Sequence, residues 1–264
     1  MMSQYQYPRH LDHCYRTEKK IFGKYSYKDY TDVVKYTTNL LKHARNISDL
    51  LLELVFPKSP ELKALEVLSP NEFLKKVERC IGTDSPVVDA IFQYRTPFMR
   101  EAIWQLKYHG NKKIAGLLAE HMYEEMITLA GDDFENVSGD NAQQIFFLPI
   151  PLSVKRRKER GFNQGELLCS EIIKIDTAKV FTYSPKCLEK IKDIPSQTSI
   201  SDRRKRIKNV RGCFEVPDEM KSAVRGNTFI LIDDVTTTGS TLEEGRRALL
   251  SAGARKVICL ALAH

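Results

Sequence analysis

Two kinds of apolar periodicity divide the chain. Between Tyr30 and Phe56, Val33, Val34, Leu40, Leu41, Ile47, Leu50, Leu51 and Leu54 recur at helical spacing. Ser48 and Asp49 are residues that cap a second helix within that stretch, and Pro57-Lys58-Ser59-Pro60 ends it because proline cannot continue a helix. The first thirty or so residues are rich in Tyr and Lys without periodicity and read as an arm. A further short helix fits Asn71 to Cys80, and Thr83-Asp84-Ser85-Pro86 reads as a loop. These features place a boundary there, with an N-terminal arm and helical region over 1–85 and a second domain over 86–264.

Beyond the boundary the pattern changes. Val87 to Tyr94 alternates like a strand, Pro97 through Lys107 is helical, and Tyr108-His109-Gly110-Asn111 forms a turn. Ile114, Leu117, Leu118, Met122 and Met126 make Lys112 to Leu129 a helix, followed by an acidic loop over Gly131 to Asn141. Ile145 to Ile150 is a continuous apolar run, as a strand buried on both faces would be. Gly165 to Ile175 is a helix, Thr228 to Ile232 a second buried strand, Leu242 to Ala252 a helix and Lys256 to Ala263 a third strand. Strand, helix, strand with short links implies an α/β fold, a parallel sheet flanked by helices with right-handed crossovers.

Charge and cysteine content narrow the class. Hydrophobic residues make up 42% of the 264-residue chain and charged residues 28%, which suits a packed core and excludes a disordered chain. No apolar run is long enough to span a bilayer, and the N-terminus carries no apolar signal segment, so a cytoplasmic location without membrane attachment is expected. The six cysteines (Cys14, Cys80, Cys169, Cys187, Cys213 and Cys259) include no C-x-x-C pair and read as reduced thiols, with no metal ligand set and no zinc expected. The net charge of +7 concentrates in Lys155 to Arg160 and in Arg203 to Lys208. Such clusters serve either nucleic acid or a small polyanion. No interleaving of aromatic and basic residues, of the kind single-strand binders use, is evident near either one.

The segment with the most chemistry follows the strand at Thr228 to Ile232. Asp233 and Asp234 come at its carboxyl end, where open α/β sheets bind ligands. Val235, Thr236, Thr237, Thr238, Gly239, Ser240 and Thr241 then lead into a helix. Hydroxyl donors, a glycine that permits close backbone approach and a helix N-terminus make an anion cradle, while carboxylates accept from sugar hydroxyls. A phosphorylated sugar satisfies both halves. Neither a P-loop nor a dinucleotide-binding glycine pattern is present.

Ile230 to Thr241 resembles the phosphoribosyl pyrophosphate signature of type I phosphoribosyltransferases, and the branch it resembles most is the ComF type, related to the transferase domain of glutamine amidophosphoribosyltransferase. Leu148 to Ser153, Arg160-Gly161-Phe162-Asn163-Gln164, Gln197-Thr198, Arg204, Asn209-Val210, Gly212-Cys213-Phe214 and Leu106 to Gly110 resemble further segments of that family. The resemblance covers roughly residues 86–264. Leu50 to Lys58 is similar to the helix that precedes a zinc ribbon in many ComF-type proteins, but Ser59 to Asn71 continues without cysteine.

The resemblance implies the type I phosphoribosyltransferase fold and transfer of a phosphoribosyl group to a nitrogen acceptor with release of pyrophosphate. It implies Mg²⁺ bound with phosphoribosyl pyrophosphate, Asp233 and Asp234 at the ribose hydroxyls, and Thr236 to Thr241 at the 5′-phosphate. Arg156 and Arg160 are the expected pyrophosphate contacts and Lys107 a further one. Arg203 and Arg204 fall in the loop that closes during turnover in that family. Two other readings follow from it: a non-catalytic sensor of phosphoribosyl pyrophosphate, and an accessory of DNA uptake with single-stranded DNA or competence proteins as partners. Dimers are common among similar enzymes, so a homodimer is in keeping with the family. The acceptor-binding hood would come from residues 86–110 or from the N-terminal helices.

Overall fold

The apolar runs become strands because each has two faces to bury. A computed structural model of the chain describes residues 59–136, 144–192 and 210–264. The arm and helices expected before residue 59, and the basic cluster with Arg203 and Arg204, lie outside them. β1 (Val88–Phe92), β2 (Ile145–Pro149), β3 (Thr182–Tyr183), β6 (Thr228–Val235) and β7 (Lys256–Ala263) form one parallel sheet in the order β1-β7-β6-β2-β3. β4 (Glu189–Lys190) and β5 (Phe214–Glu215) pair antiparallel beside it.

Successive strand residues point to opposite faces, and the core divides accordingly. Phe147, Ile230, Ile232, Ile258 and Leu260 pack on one face, against α3 (Pro97–Trp104), α4 (Lys112–Leu129) and α6 (Gln164–Ile175). Phe146, Leu148, Phe229, Leu231, Val257 and Cys259 pack on the other, against α8 (Ser240–Ser251) and the β4–β5 pair. The unbroken run Phe229-Ile230-Leu231-Ile232, wholly buried, is thus two interleaved half-runs. At the sheet's amino end Asp133 accepts hydrogen bonds from Lys256 Nζ at 2.9 Å and from Arg255, tying the α4–β2 connection to the start of β7.

Several local expectations change. The helix expected over Asn71 to Cys80 is confined to α2 (Pro70–Leu74). Past it the backbone donors turn to the edge of β1, with Cys80 N–H donating to Ile91 O at 2.9 Å and Gln93 N–H to Glu78 O at 2.8 Å. The helix expected to run to Lys107 stops at Trp104 and continues as a π-helical turn, Gln105–His109. The segment after Ile150, read as a loop, contains α5 (Val154–Arg160), capped by the Ser153 hydroxyl. Two-residue strands such as β3, β4 and β5 are too short to leave a periodic trace. No helix among the described residues is long and apolar enough to cross a membrane.

The residues just before β1 also join the core. Ser59–His264 form one compact unit, into which α1 (Pro60–Leu65) and α2 insert Leu65 and Phe73. The Phe73 ring meets Phe92 edge-on at 5.6 Å and stacks on His121 at 5.7 Å. Residues 59–85, grouped with the N-terminal region by composition, therefore share a core with the sheet. Phe73→Ala should destabilise the chain by about 3–5 kcal/mol in denaturant unfolding, within a single transition. A loss below about 1 kcal/mol would mean that this segment unfolds apart from the sheet.

Candidate functional site

The acid pair does not follow the strand but ends it. Asp233 lies in register with Ala261 and Val235 with Ala263, so both carboxylates belong to β6. Strand geometry sends the two side chains to opposite faces. Asp234 shares the side of Ile230 and Ile232 and is 3% exposed. Its Oδ1 accepts from the Val235 N–H at 2.6 Å and lies 3.3 Å from Lys107 Nζ. Its Oδ2 is buried without a hydrogen-bond partner. Asp233 shares the side of Leu231, toward the β4–β5 pair, and accepts from the Asp234 N–H at 2.9 Å.

Burial and the neighbouring charge of Asp234 push the Asp233 carboxyl up to about 7, against the opposing pull of the Asp234 amide and of Lys107 and Lys190. The two acids thus draw cations from separate places, Lys107 in the π-helical turn and Lys190 in β4. Lys107 was expected at pyrophosphate; here its ammonium pairs with Asp234 and keeps 22% of its surface exposed. Lys190 had no motif around it and went unnoticed in the sequence.

The loop after β6 is held from both ends. Thr236 N–H donates to Ala263 O at 2.9 Å, extending the sheet by one bond, and the buried Thr236 hydroxyl accepts from the Gly239 N–H at 3.1 Å. The Thr238 and Ser240 hydroxyls lie 2.9 Å apart. Gly239 has φ +74° and caps α8; a Cβ there would sit 2.7 Å from the Ser85 Cβ. Any side chain at Gly239 would meet both the left-handed backbone and that collision. Ser85 donates to Glu243 in the first turn of α8, so the chain before β1 braces the loop. Ser85 and Glu243 were not foreseen, because their contact spans the whole domain. The free amides of the first turn of α8, the flanking hydroxyls and the helix dipole make this turn suited to an anion.

The basic residues divide. Arg156 and Arg160 lie on α5, which follows β2 at the same carboxyl edge of the sheet, both half-buried. Arg160 Nη1 donates to Gln164 Oε1 at 3.0 Å, and its guanidinium lies 6.0 Å from the centre of the Tyr108 ring. Arg157 pairs with Glu166 instead. Tyr108 in turn stands 4.3 Å from Trp104. An aromatic pair therefore does meet the first basic cluster, contrary to the expectation from sequence, because the two lie on segments that only the fold brings together. Arg203 and Arg204 fall outside the described residues.

The Arg160-Gly161-Phe162-Asn163-Gln164 segment acquires a structural meaning. Phe162 packs under Gly110, whose φ of +56° ends the π-helical turn and whose absent Cβ would approach that ring at 3.3 Å. Asn163 caps α6 through Gly165 N–H at 2.9 Å and donates to Ile150 O at 3.3 Å. The segment thus joins the Lys107 turn, α5 and the end of β2 into one wall of the site.

A five-stranded parallel sheet, an acid pair ending a central strand and a hydroxyl-rich turn at a helix N-terminus define the type I phosphoribosyltransferase fold. Residues 175–264 match the family model described as the phosphoribosyl transferase domain, which takes in β6, the loop and α8. Among curated relatives, the DNA utilization protein YhgH of Salmonella typhimurium is 26% identical over 163 residues, covering 61% of this chain and 65% of that protein. The competence protein ComFC of Bacillus subtilis is 28% identical over 157 residues, covering 59% of this chain and 55% of the relative. ComFC of Streptococcus pneumoniae is 30% identical over 169 residues, 64% of each. The chain spans less than two thirds of the length of these relatives. It carries a phosphoribosyltransferase domain, and its likeness to the ComF type is borne out.

The raised Asp233 carboxyl has a consequence for stability. It binds its proton more tightly in the folded chain, at about 7, than at the model value of 3.8, so its contribution favours folding at low pH. That contribution is lost as pH rises through the window up to about 7. In metal-free buffer the stability difference between the wild type and Asp233→Asn should therefore shift against the wild type from about pH 5 to about pH 8. A difference that stays constant across this range would refute the raised carboxyl.

Proposed function

We propose that this chain binds phosphoribosyl pyrophosphate and transfers its phosphoribosyl group to a nitrogen acceptor. The observation that carries the reading is the end of β6, where two carboxylates lie beside a turn whose hydroxyls, left-handed glycine and helix N-terminus gather hydrogen-bond donors. Asp233 and Asp234 take the ribose hydroxyls. Thr236 to Thr241 take the 5′-phosphate, where the amides of α8 bind an anion without requiring a positive side chain. Arg156 and Arg160, on the helix after β2, face the pyrophosphate.

In the transfer, the lone pair of the acceptor nitrogen forms a bond to the anomeric carbon as the bond from that carbon to the pyrophosphate oxygen breaks. The pyrophosphate leaves with the electron pair, and the acceptor nitrogen gives up a proton to solvent. The cationic side chains of α5 favour that departure because charge on the leaving oxygens grows along the path. Asp234 Oδ2, buried and unpaired, suits a hydroxyl donor or a cation shared with the ligand, so the acid pair fits a divalent ion arriving with the substrate. Mg²⁺ bound with the substrate supplies countercharge to the pyrophosphate.

A second reading rests on the relatives' names and on the basic helix. A competence protein and a DNA utilization protein share this domain, and α5 exposes Lys155, Arg157 and Lys158 beside the site. On that reading the domain senses phosphoribosyl pyrophosphate while serving DNA uptake, and it does not turn over.

Calorimetric titration with phosphoribosyl pyrophosphate and Mg²⁺, then a pyrophosphate-release screen over nucleobases and amines, separates the two. The transferase reading expects saturable binding with release for one acceptor; binding without release for any acceptor supports the sensor. Asp233→Ala with Asp234→Ala should weaken binding by at least about tenfold, or ~1.4 kcal/mol, in a chain that remains folded by circular dichroism. Undiminished affinity in that double variant would sink the site assignment.

A further inference from the structure

Trp104 and Tyr108 stand four residues apart across the junction of α3 and the π-helical turn, on the outer surface. Their ring centres lie 4.3 Å apart at a tilt of 44°, yet Trp104 is 52% and Tyr108 54% exposed. Residues this large commonly bury most of their rings, so a stacked pair held half open needs a reason. Between them Lys107 turns the other way and reaches Asp234 at 3.3 Å. A π-helical turn widens the backbone by one residue, a feature frequent at functional sites. It places one side chain at the sugar site and the next on the rim.

The surroundings say what the pair is suited to. The Arg160 guanidinium lies 6.0 Å from the centre of the Tyr108 ring and is held in place by Gln164. Lys112 and Lys113 are exposed just past Gly110, as are Lys155 and Lys158 on α5. A purely apolar partner gains from the rings and nothing from this charge. A flat heteroaromatic ring stacks on the rings, accepts hydrogen bonds from a guanidinium, and brings the phosphates or carbonyl oxygens that a basic rim favours.

We propose that Trp104, Tyr108 and Arg160 form a stacking site for a nucleobase ring at the rim of the sugar site. The link to the transferase reading is positional: a base seated here lies beside Lys107 and hence beside the acid pair. The stacking itself does not depend on phosphoribosyl pyrophosphate being the sugar ligand. The base has two sources, a free nucleobase serving as the nitrogen acceptor or a base within a single strand. Either uses the same rings.

Trp104 is the single tryptophan of the chain, so its emission reports this site alone. The full chain is excited at the red edge of tryptophan absorption, where bases do not absorb. It is titrated separately with adenine, hypoxanthine, uracil and a homothymidine oligonucleotide. The expected result is saturable quenching by at least one of them, weakened on the order of tenfold in Tyr108→Ala, which keeps the reporter. Quenching by a free base identifies the acceptor ring. Quenching confined to the oligonucleotide, falling steeply with salt, identifies a strand base.

Absence of quenching by every probe at millimolar concentration would overturn the proposal. So would quenching that Tyr108→Ala leaves unchanged. Trp104 emission that shifts with protein concentration alone, in step with dimerisation that Tyr108→Ala abolishes, would overturn it in favour of an interface between copies. Calorimetry with phosphoribosyl pyrophosphate on the same preparation tests the sugar site independently. Its failure with quenching intact would sink the transferase reading and leave the stacking site standing.

Discussion

The ion pair between Lys107 and Asp234 is the contact on which the site's arrangement turns. Two adjacent carboxylates at the end of a strand buried on both faces carry charge into a region of low polarisability, where an uncompensated anion is costly. Three compensations are visible: an ammonium on one side, a more distant lysine on the other, and a proton held by Asp233 up to about 7. None of them saturates Asp234 Oδ2. The site therefore keeps an acceptor in reserve, and the groups that complete it are those a sugar hydroxyl or a cation provides.

That pair also explains why the connection from α3 to α4 has its particular shape. A regular helix running through Lys107, as the apolar spacing suggested, would have no means of sending Lys107 inward while holding Trp104 and Tyr108 outward together with Gly110 against Phe162. The π-helical turn does all three. Its end is fixed by the left-handed Gly110 and by the Asn111 side chain capping α4. Phe162 continues into the Asn163 cap of α6, so the wall that carries Lys107 is continuous with the one that carries Arg160. Lys107 and Arg160, far apart in the chain, are thereby placed by one set of contacts.

How much of this could be read from the sequence follows from the range of the interactions. Ile145 to Ile150, Thr228 to Ile232 and Lys256 to Ala263 announced themselves because burial on both faces demands an unbroken apolar run. The helix over Lys112 to Leu129 appears with the bounds its periodicity set. The acid pair and the loop to Thr241 were legible because strand, acids, hydroxyls, glycine and helix follow one another locally. What stayed hidden depended on distant partners. The Ser85–Glu243 brace, the position of Lys190 and the Tyr108–Arg160 contact each join segments with no common pattern. The shortened helix at Asn71 failed for a related reason: its later residues had a better use for their backbone donors at the edge of β1.

The same reasoning bears on the basic residues, which composition alone could not sort. Arg157 spends its charge on Glu166, and Arg255 and Lys256 spend theirs on Asp133 at the far end of the sheet. These pairs hold the fold together and leave little field for a ligand. Arg160 differs, because its neutral partner Gln164 orients the guanidinium without cancelling its charge. Lys107 is matched to an acid, but one of the two that the proposed sugar ligand requires. A net charge of +7 thus overstates the cationic surface and understates its focus. The charge that remains uncancelled gathers around the carboxyl edge of β2 and β6, where an anion would enter.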